Sequence, residues 1–380
     1  MNPVKPNSFH LQWHITNKCN FRCKHCYIEK DVKELSTRQL FLILDQYIDL
    51  IKIWELDKKN KVRKLSITGG EPLLRKDFFR LLERVHDNRK FFTSFSIMSN
   101  GSTINANIAK KLKSLGISAV QISLDGMEGE NDRTRGRGNF KKAINGINKL
   151  IENELPVGVS VTVHKGNIKD VPRLIELCEQ LGVKSIGISR LVPLGRGQYL
   201  NMLDPSELRD FYRYLMNLKV RGNGIFVANH CSDSLWFIED SKHETHGCST
   251  GYDSFSILPN GDIVPCRRLP IKVGNVLEKT LFEIWYTSKT LWDIRNKNNV
   301  NIKCRNCEIF DNCYGGAKCV TYGYFKDPSA PDPQCWKLFK TLPKVRKFPS
   351  GEEKMYLVDK YVEDFDPEMY FIKMGYKERI

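Results

Sequence analysis

HLQWHITNKCNFRCKHCY, residues 10–27, runs from an apolar stretch straight into three closely spaced cysteines. Residues 10–15 read as a short strand, and Cys19, Cys23 and Cys26 follow it in a C-x3-C-x2-C spacing. A loop leaving a strand can wrap three thiolates around one iron–sulfur cube, because thiolate and iron are both soft partners. Three ligands leave one iron of a four-iron cluster open to chelate a substrate, whereas an electron carrier uses four cysteines. Zinc is the competing metal, with His14 or His25 offered as a fourth ligand, and buried thiols are the reading without metal.

Outward from this loop, strand-like runs alternate with amphipathic helix patterns to about residue 220. The strands are expected at 10–15, 63–68, 92–98, 118–123, 157–163 and 184–190. Helices are expected over 37–53 and from near residues 76, 105, 140, 171 and 205. Such βα units imply a parallel sheet, since parallel neighbours need crossovers and helices usually supply them. Six of them suit an open or partial barrel with its ligand site at the strand C-terminal ends.

After about residue 221 the pattern breaks into short strands, turns such as Pro259-Asn260-Gly261-Asp262, and cysteine pairs. Too little apolar periodicity remains there for a conventional core, so metal or cross-links are expected to hold the region together. The organisation read from this is a barrel over 1–220, a connection over 221–247, a cysteine-rich domain over 248–340 and a tail over 341–380. The tail is charged and aromatic, and is expected to dock back as a helix.

The bulk numbers suit a globular α/β protein. Of 380 residues, 41% are hydrophobic and 27% charged, no apolar run approaches bilayer length and the start lacks a signal-peptide core, so a cytoplasmic protein away from membranes is expected. There the twelve cysteines stay reduced, so their clustering points to metal before disulfides. The net charge of +16 admits a solvated basic surface, a nucleic-acid groove or an acidic peptide substrate. The lysines are spread through helical stretches, which favours the first of these.

At the end of the second strand stands Thr68-Gly69-Gly70-Glu71-Pro72. Together with the cysteine loop, this segment resembles the radical S-adenosylmethionine (SAM) superfamily. That family's signature is C-x3-C-x-aromatic-C after the first strand of a partial (βα)6 barrel, and His25 takes the aromatic position. The resemblance implies a [4Fe-4S] cluster on Cys19, Cys23 and Cys26, with the Gly69-Gly70-Glu71-Pro72 loop at the amino group of SAM. Glycines there let backbone approach a ligand, and Glu71 offers an acceptor for an ammonium group. Asn100, Ser123 and Asp125 fall in register with SAM contacts of the family, and Arg135 lies where related enzymes often carry an arginine near SAM. Taken singly, the small polar residues read as caps and turns.

The last third resembles the SPASM extension, whose pattern is C-x9–15-G-x4-C, then C-x2-C-x5-C-x3-C, then a late cysteine. Cys248, Gly261, Cys266, Cys304, Cys307, Cys313 and Cys335 match it. Ala317 stands where the pattern expects cysteine, and Cys319 follows two residues later. The resemblance implies one auxiliary cluster on Cys304, Cys307, Cys313 and Cys335. A second would sit on Cys248, Cys266 and Cys319, with Cys231, a non-cysteine side chain or the substrate as its fourth ligand. Residues 190–197, RLVPLGRG, resemble a loop of the subgroup containing pyrroloquinoline quinone and haem-cofactor maturases. Otherwise they form a plain turn.

The function implied is reductive cleavage of SAM to a 5′-deoxyadenosyl radical, which abstracts hydrogen from a peptide or protein, or from a tetrapyrrole or other cofactor precursor. A flavodoxin or ferredoxin would be the electron donor. The barrel begins near residue 9, so no N-terminal peptide-recognition domain is expected. A zinc-stabilised nucleic-acid-binding protein and a plain electron carrier are the readings from other classes. The first leaves the Gly69-Gly70 loop and the βα units unexplained, and the second the open three-cysteine site.

Overall fold

The computed structural model describes residues 5–28, 32–58, 60–220, 226–229, 235 and 247–343. The tail expected to dock as a helix lies almost wholly outside them, as do Cys231, His230, His243 and His246.

Strands β1 (Ser8–His14), β2 (Val62–Thr68), β3 (Ser94–Ser99), β4 (Ala119–Ser123), β5 (Val157–Val163) and β6 (Ser185–Arg190) pair in sequence order, all parallel. Helices α1 (Thr37–Ile53), α2 (Phe78–Asp87), α3 (Ala106–Ser114), α4 (Glu128–Arg135), α5 (Asn139–Glu152), α6 (Val171–Gln180) and α7 (Pro205–Val220) make the crossovers. Strand β5 shows why the sheet curves around a lumen. Val157, Val159, Val161 and Val163 are buried beneath the helices, while Gly158, Ser160 and Thr162 alternate to the other face. Ser36 starts α1 as a capping box with Gln39. Cys178 is fully buried in α6, a packing position. His164 receives the Gly166 N–H on Nδ1 at 3.1 Å, a capping role.

Two features depart from the expected plan. Helix α4 occupies the segment between β4 and α5. And the sheet does not end with β6: β7 (Phe226–Asn229) extends that edge, while β8 (Ser254–Ile257) pairs parallel with β1 on the other. Strands β9 (Asp262–Val264) and β10 (Gly274–Asn275) follow β8 antiparallel, so ten strands form one sheet.

The cysteine-rich region therefore shares the barrel's core and does not depend on metal alone. Phe9 of β1 packs on Trp54, Trp285 and Phe255 with ring centroids 5.1, 5.4 and 5.8 Å away, and Trp54 Nε1 donates to Tyr286 Oη at 2.9 Å. Helices α8 (Leu281–Thr287) and α9 (Lys289–Arg295) add Leu281, Ile284 and Leu291 to the same core. Four buried aromatics clustered at these separations bury large apolar areas and add edge-to-face attraction. Apolar spacing in the C-terminal third was too short-ranged to reveal this, because the partner surface is β1 and α1.

Candidate functional site

Three barrel elements hold the cysteine loop by its backbone. After β2, the Gly70 and Glu71 N–H groups donate to Thr16 O and Lys18 O, each at 2.8 Å. A Cβ on Gly69 would lie 2.3 Å from Thr16 O, and one on Gly70 2.3 Å from Lys18 O. The glycines thus let two loops touch, which a side chain would forbid. At the end of α4, Thr134 O accepts from Lys24 N at 2.8 Å. After β6, Arg196 Nε donates to Cys23 O at 2.8 Å and its backbone N–H to Cys26 O at 2.9 Å. A Cβ on Gly195 would meet Cys26 O at 2.8 Å. The 190–197 segment is therefore a brace for the cysteines, more than a plain turn.

Cys19, Cys23 and Cys26 open onto one cavity of about 160 Å³ at the C-terminal ends of the strands. Of the residues singled out in the sequence, His25, Gly69, Gly70, Asn100, Ser123 and Arg135 line it as well. Asn100 Nδ2 points to Cys19 Sγ at 3.9 Å and to Asn20 Oδ1 at 2.9 Å.

Glu71, Pro72 and Asp125 stand behind the cavity wall instead. The Glu71 carboxylate accepts from Ser99 Oγ at 2.9 Å and from the Asn100 N–H at 2.8 Å, so it secures the end of β3. Burial pushes its carboxyl up to about 7, against those hydrogen bonds. An ammonium group in the cavity would meet the backbone of this loop, not the Glu71 side chain. Pro72 is buried as the first residue of a short 3-10 turn. Asp125 is fully buried, with Oδ2 2.5 Å from His25 Nε2 and 2.7 Å from Arg135 Nε, and Oδ1 accepting the Thr162 N–H at 2.9 Å. Burial opposes its ionisation, but Arg135 and His25 outweigh that and hold its carboxyl well below the usual range. It orients two cavity residues without reaching the cavity itself.

Sequence reasoning missed the rest of the lining. Gln121, Ser160, Thr162 and Ser189 project from successive strands, and His14, Met98, Arg190, Arg267 and Arg268 also line the wall. The signal was present as polar residues alternating with buried apolar ones, as in the VGVSVTV of β5. Its direction, toward a lumen and away from solvent, needed the curved sheet.

The C-terminal cysteines fall into two groups. Cys304, Cys307, Cys313 and Cys335 line a cavity of about 30 Å³ with Ile309, Phe310 and Leu338. Cys248, Cys266 and Cys319 line another of about 390 Å³, which shares Met98, Arg190, Arg267 and Arg268 with the barrel cavity. Cys319 reaches that group because Tyr314, Gly315 and Gly316 turn through φ of 51°, 84° and 90° before helix α10 (Lys318–Phe325) begins. A clasp fixes this region to the barrel: Arg190 Nη1 and Nη2 lie 2.9 and 2.7 Å from the Asp332 carboxylate, and Gln334 Nε2 donates to Leu203 O at 2.8 Å.

Among the described residues, no three His, Cys, Asp or Glu side chains converge on one point as a single-ion chelate needs. The thiols instead surround cavities, and a four-iron cube takes its thiolates at separate corners. Burial pushes Cys23 up to about 11, Cys304 up to about 12 and Cys335 up to about 11. Ionising them requires a strong positive group at the sulfur, which bound iron supplies. The donor sets fit iron–sulfur clusters.

Comparison with known proteins agrees. The radical SAM superfamily pattern matches residues 13–178, and the SPASM iron-sulfur cluster-binding domain matches residues 248–308. The chain thus carries a radical SAM domain followed by a SPASM domain. It is an enzyme whose cofactors are S-adenosylmethionine and iron–sulfur clusters.

An AdoMet-dependent heme synthase of Methanosarcina barkeri is 25% identical over 86% of this chain and 95% of its own length. The mycofactocin maturase MftC of Mycolicibacterium smegmatis is 28% identical over 86% and 82%. The sporulation killing factor maturation protein SkfB of Bacillus subtilis is 27% identical over 77% and 67%. Among solved structures, Streptococcus suis SuiB bound to S-adenosylmethionine has a TM-score of 0.71 at 21% identity, covering 88% of this chain and 78% of its own. No helix among the described residues is long and apolar enough to cross a membrane.

Proposed function

We propose that Cys19, Cys23 and Cys26 hold a [4Fe-4S] cluster at which SAM is cleaved, and that the enzyme then modifies a peptide or protein. When bound and reduced, that cluster supplies the electron that splits SAM into methionine and a 5′-deoxyadenosyl radical, which takes a hydrogen atom from the substrate. The observation carrying this reading is that the three thiols share one cavity with Gly69, Gly70, Asn100, Ser123 and Arg135. The backbone of the Gly69-Gly70 loop and the side chains of Asn100 and Ser123 orient the polar groups of SAM. The lumen hydroxyls of Ser160, Thr162 and Ser189 are placed to fix the substrate beyond it, while the helices around β1–β6 exclude water.

Cys304, Cys307, Cys313 and Cys335 hold one auxiliary cluster in this reading, and Cys248, Cys266 and Cys319 hold another. The second would lie across a shared wall from the barrel cavity, placed to take up an electron from the product radical, while a flavodoxin or ferredoxin would supply the electron that reduces the cluster on Cys19, Cys23 and Cys26. The maturation proteins MftC and SkfB support a peptide substrate. A tetrapyrrole precursor is the second reading, favoured by the heme synthase that aligns over 95% of its length.

Anaerobic protein reduced with dithionite is expected to convert SAM to 5′-deoxyadenosine, read by chromatography. An intact, iron-loaded preparation that leaves SAM untouched defeats the proposal.

A further inference from the structure

The barrel cavity is lined by Arg135, Arg190, Arg196, Arg267 and Arg268 and, among the described residues, by no aspartate or glutamate. Two of these charges are answered from behind the wall, Arg135 by Asp125 and Arg190 by Asp332. Arg196 is committed to the cysteine loop through Cys23 O. Arg267 differs. Its recorded hydrogen bond is Nη1 to the thioether of Met98 at 3.3 Å, a weak acceptor, and among the described residues no carboxylate pairs with it. Beside it, His14 is 2% exposed and lines the same cavity, and its Nε2 has no hydrogen-bond partner among the described residues. Arg267 also lines the cavity holding Cys248, Cys266 and Cys319, so it stands between the two.

A half-buried guanidinium facing a polar lumen without a carboxylate partner keeps N–H donors open to an anion. Guanidinium pairs with a carboxylate through parallel N–H donors, and the low dielectric of a closed site strengthens that pair. SAM brings a carboxylate together with an ammonium and a sulfonium, so it adds no net negative charge to offset Arg267. We propose that Arg267, assisted by His14 Nε2, anchors a carboxylate of the substrate between the barrel cavity and the Cys248/Cys266/Cys319 cavity. This rests on the radical SAM reading and adds the chemistry by which the substrate is chosen. The carboxylate has two possible sources, an acidic side chain or C-terminus of a peptide, or a propionate of a tetrapyrrole.

Iron-loaded protein with SAM present is titrated with two probe pairs, and binding is followed by equilibrium dialysis. One pair is coproporphyrin III, which carries propionates, and its methyl ester. The other is a short glutamate-rich peptide and its glutamine counterpart. One acid form is expected to bind roughly tenfold or more tightly than its blocked partner, the loss of a charge-assisted contact. That preference disappears in Arg267→Gln and is kept in part by Arg267→Lys, and which pair shows it identifies the source. The blocked probes test the unaltered protein, so the result stands even if Arg267→Gln folds poorly.

Equal binding of acid and blocked forms, a preference that survives Arg267→Gln, or no binding of either acid overturns the anchor. So does an Arg267→Gln variant that alters only the reduction potential of the neighbouring cluster. The radical SAM reading is judged separately, by 5′-deoxyadenosine formation in the unaltered protein.

Discussion

The loop carrying Cys19, Cys23 and Cys26 and the pocket of Cys304, Cys307, Cys313 and Cys335 both gather thiols, yet they are built oppositely. The loop is held by carbonyl and N–H groups of three separate barrel elements and faces a polar cavity of about 160 Å³. The pocket is assembled within some thirty residues around about 30 Å³, with Ile309, Phe310 and Leu338 for walls. One leaves room for a polar cosubstrate beside its thiols; the other leaves room for a cluster and little else. The contrast teaches that chemistry follows the space around the sulfurs as much as their number.

The largest test of that contrast is thiol deletion. Cys23→Ala is expected to abolish 5′-deoxyadenosine formation. Cys313→Ala is expected to lower the iron content of the purified protein while SAM cleavage stays measurable. Equal loss of cleavage in both would erase the distinction between the two regions.

Next comes the clasp that joins them. Asp332→Ala removes the carboxylate from a buried Arg190, a change that costs about 3–5 kcal/mol where it leaves a charge without its counter-ion. A large fall in the thermal midpoint is expected, while an unchanged midpoint would mean the two regions are held by the aromatic core alone.

Acid should weaken the barrel side through two histidines. Burial, with Lys64 and Arg267 nearby, lowers His10 to about 4, and burial with Arg267 lowers His14 to about 3. Below the ordinary pKa of 6.5 the unfolded chain takes up protons that the folded chain refuses, so stability falls as pH falls and is level above neutrality. Each histidine is expected to cost about 2 kcal/mol between pH 7 and pH 5. His10→Gln should remove one share of that loss, read from denaturant midpoints at the two pH values.

Gly70→Ala tests the contact between the two loops directly. Its new methyl would press on Lys18 O, costing about 1–3 kcal/mol as overpacking does, and would displace the cysteine loop. SAM cleavage should therefore fall by more than the stability change alone explains, measured at a temperature where the variant is folded.

The fold was legible wherever its signal is local. Valine alternation in β5 and the cysteine spacing lie within a few residues, and the strand-then-helix rhythm repeats along the chain. β7 and β8 were not legible, because each is four residues long and owes its place to the strand it pairs with, β6 or β1. Glu71 and Asp125 were read as ligand contacts from their motifs. Their environment turned them inward, because Ser99, Asn100, His25 and Arg135 satisfy them first. Cys319 in place of position 317 was visible as a discrepancy; the left-handed turn at Tyr314–Gly316 precedes the helix whose Cys319 lines a cavity with Cys248 and Cys266.

By itself the sequence determined that three sulfurs lie within eight residues directly after a strand, and it determined the order of strands and helices. The tertiary structure decided which polar side chains face one lumen, which carboxylates lie behind its wall, and that Cys248, Cys266 and Cys319 share a cavity with residues of β1. Those are relations between residues up to some three hundred positions apart, set by burial and close packing, and no short window of sequence contains them.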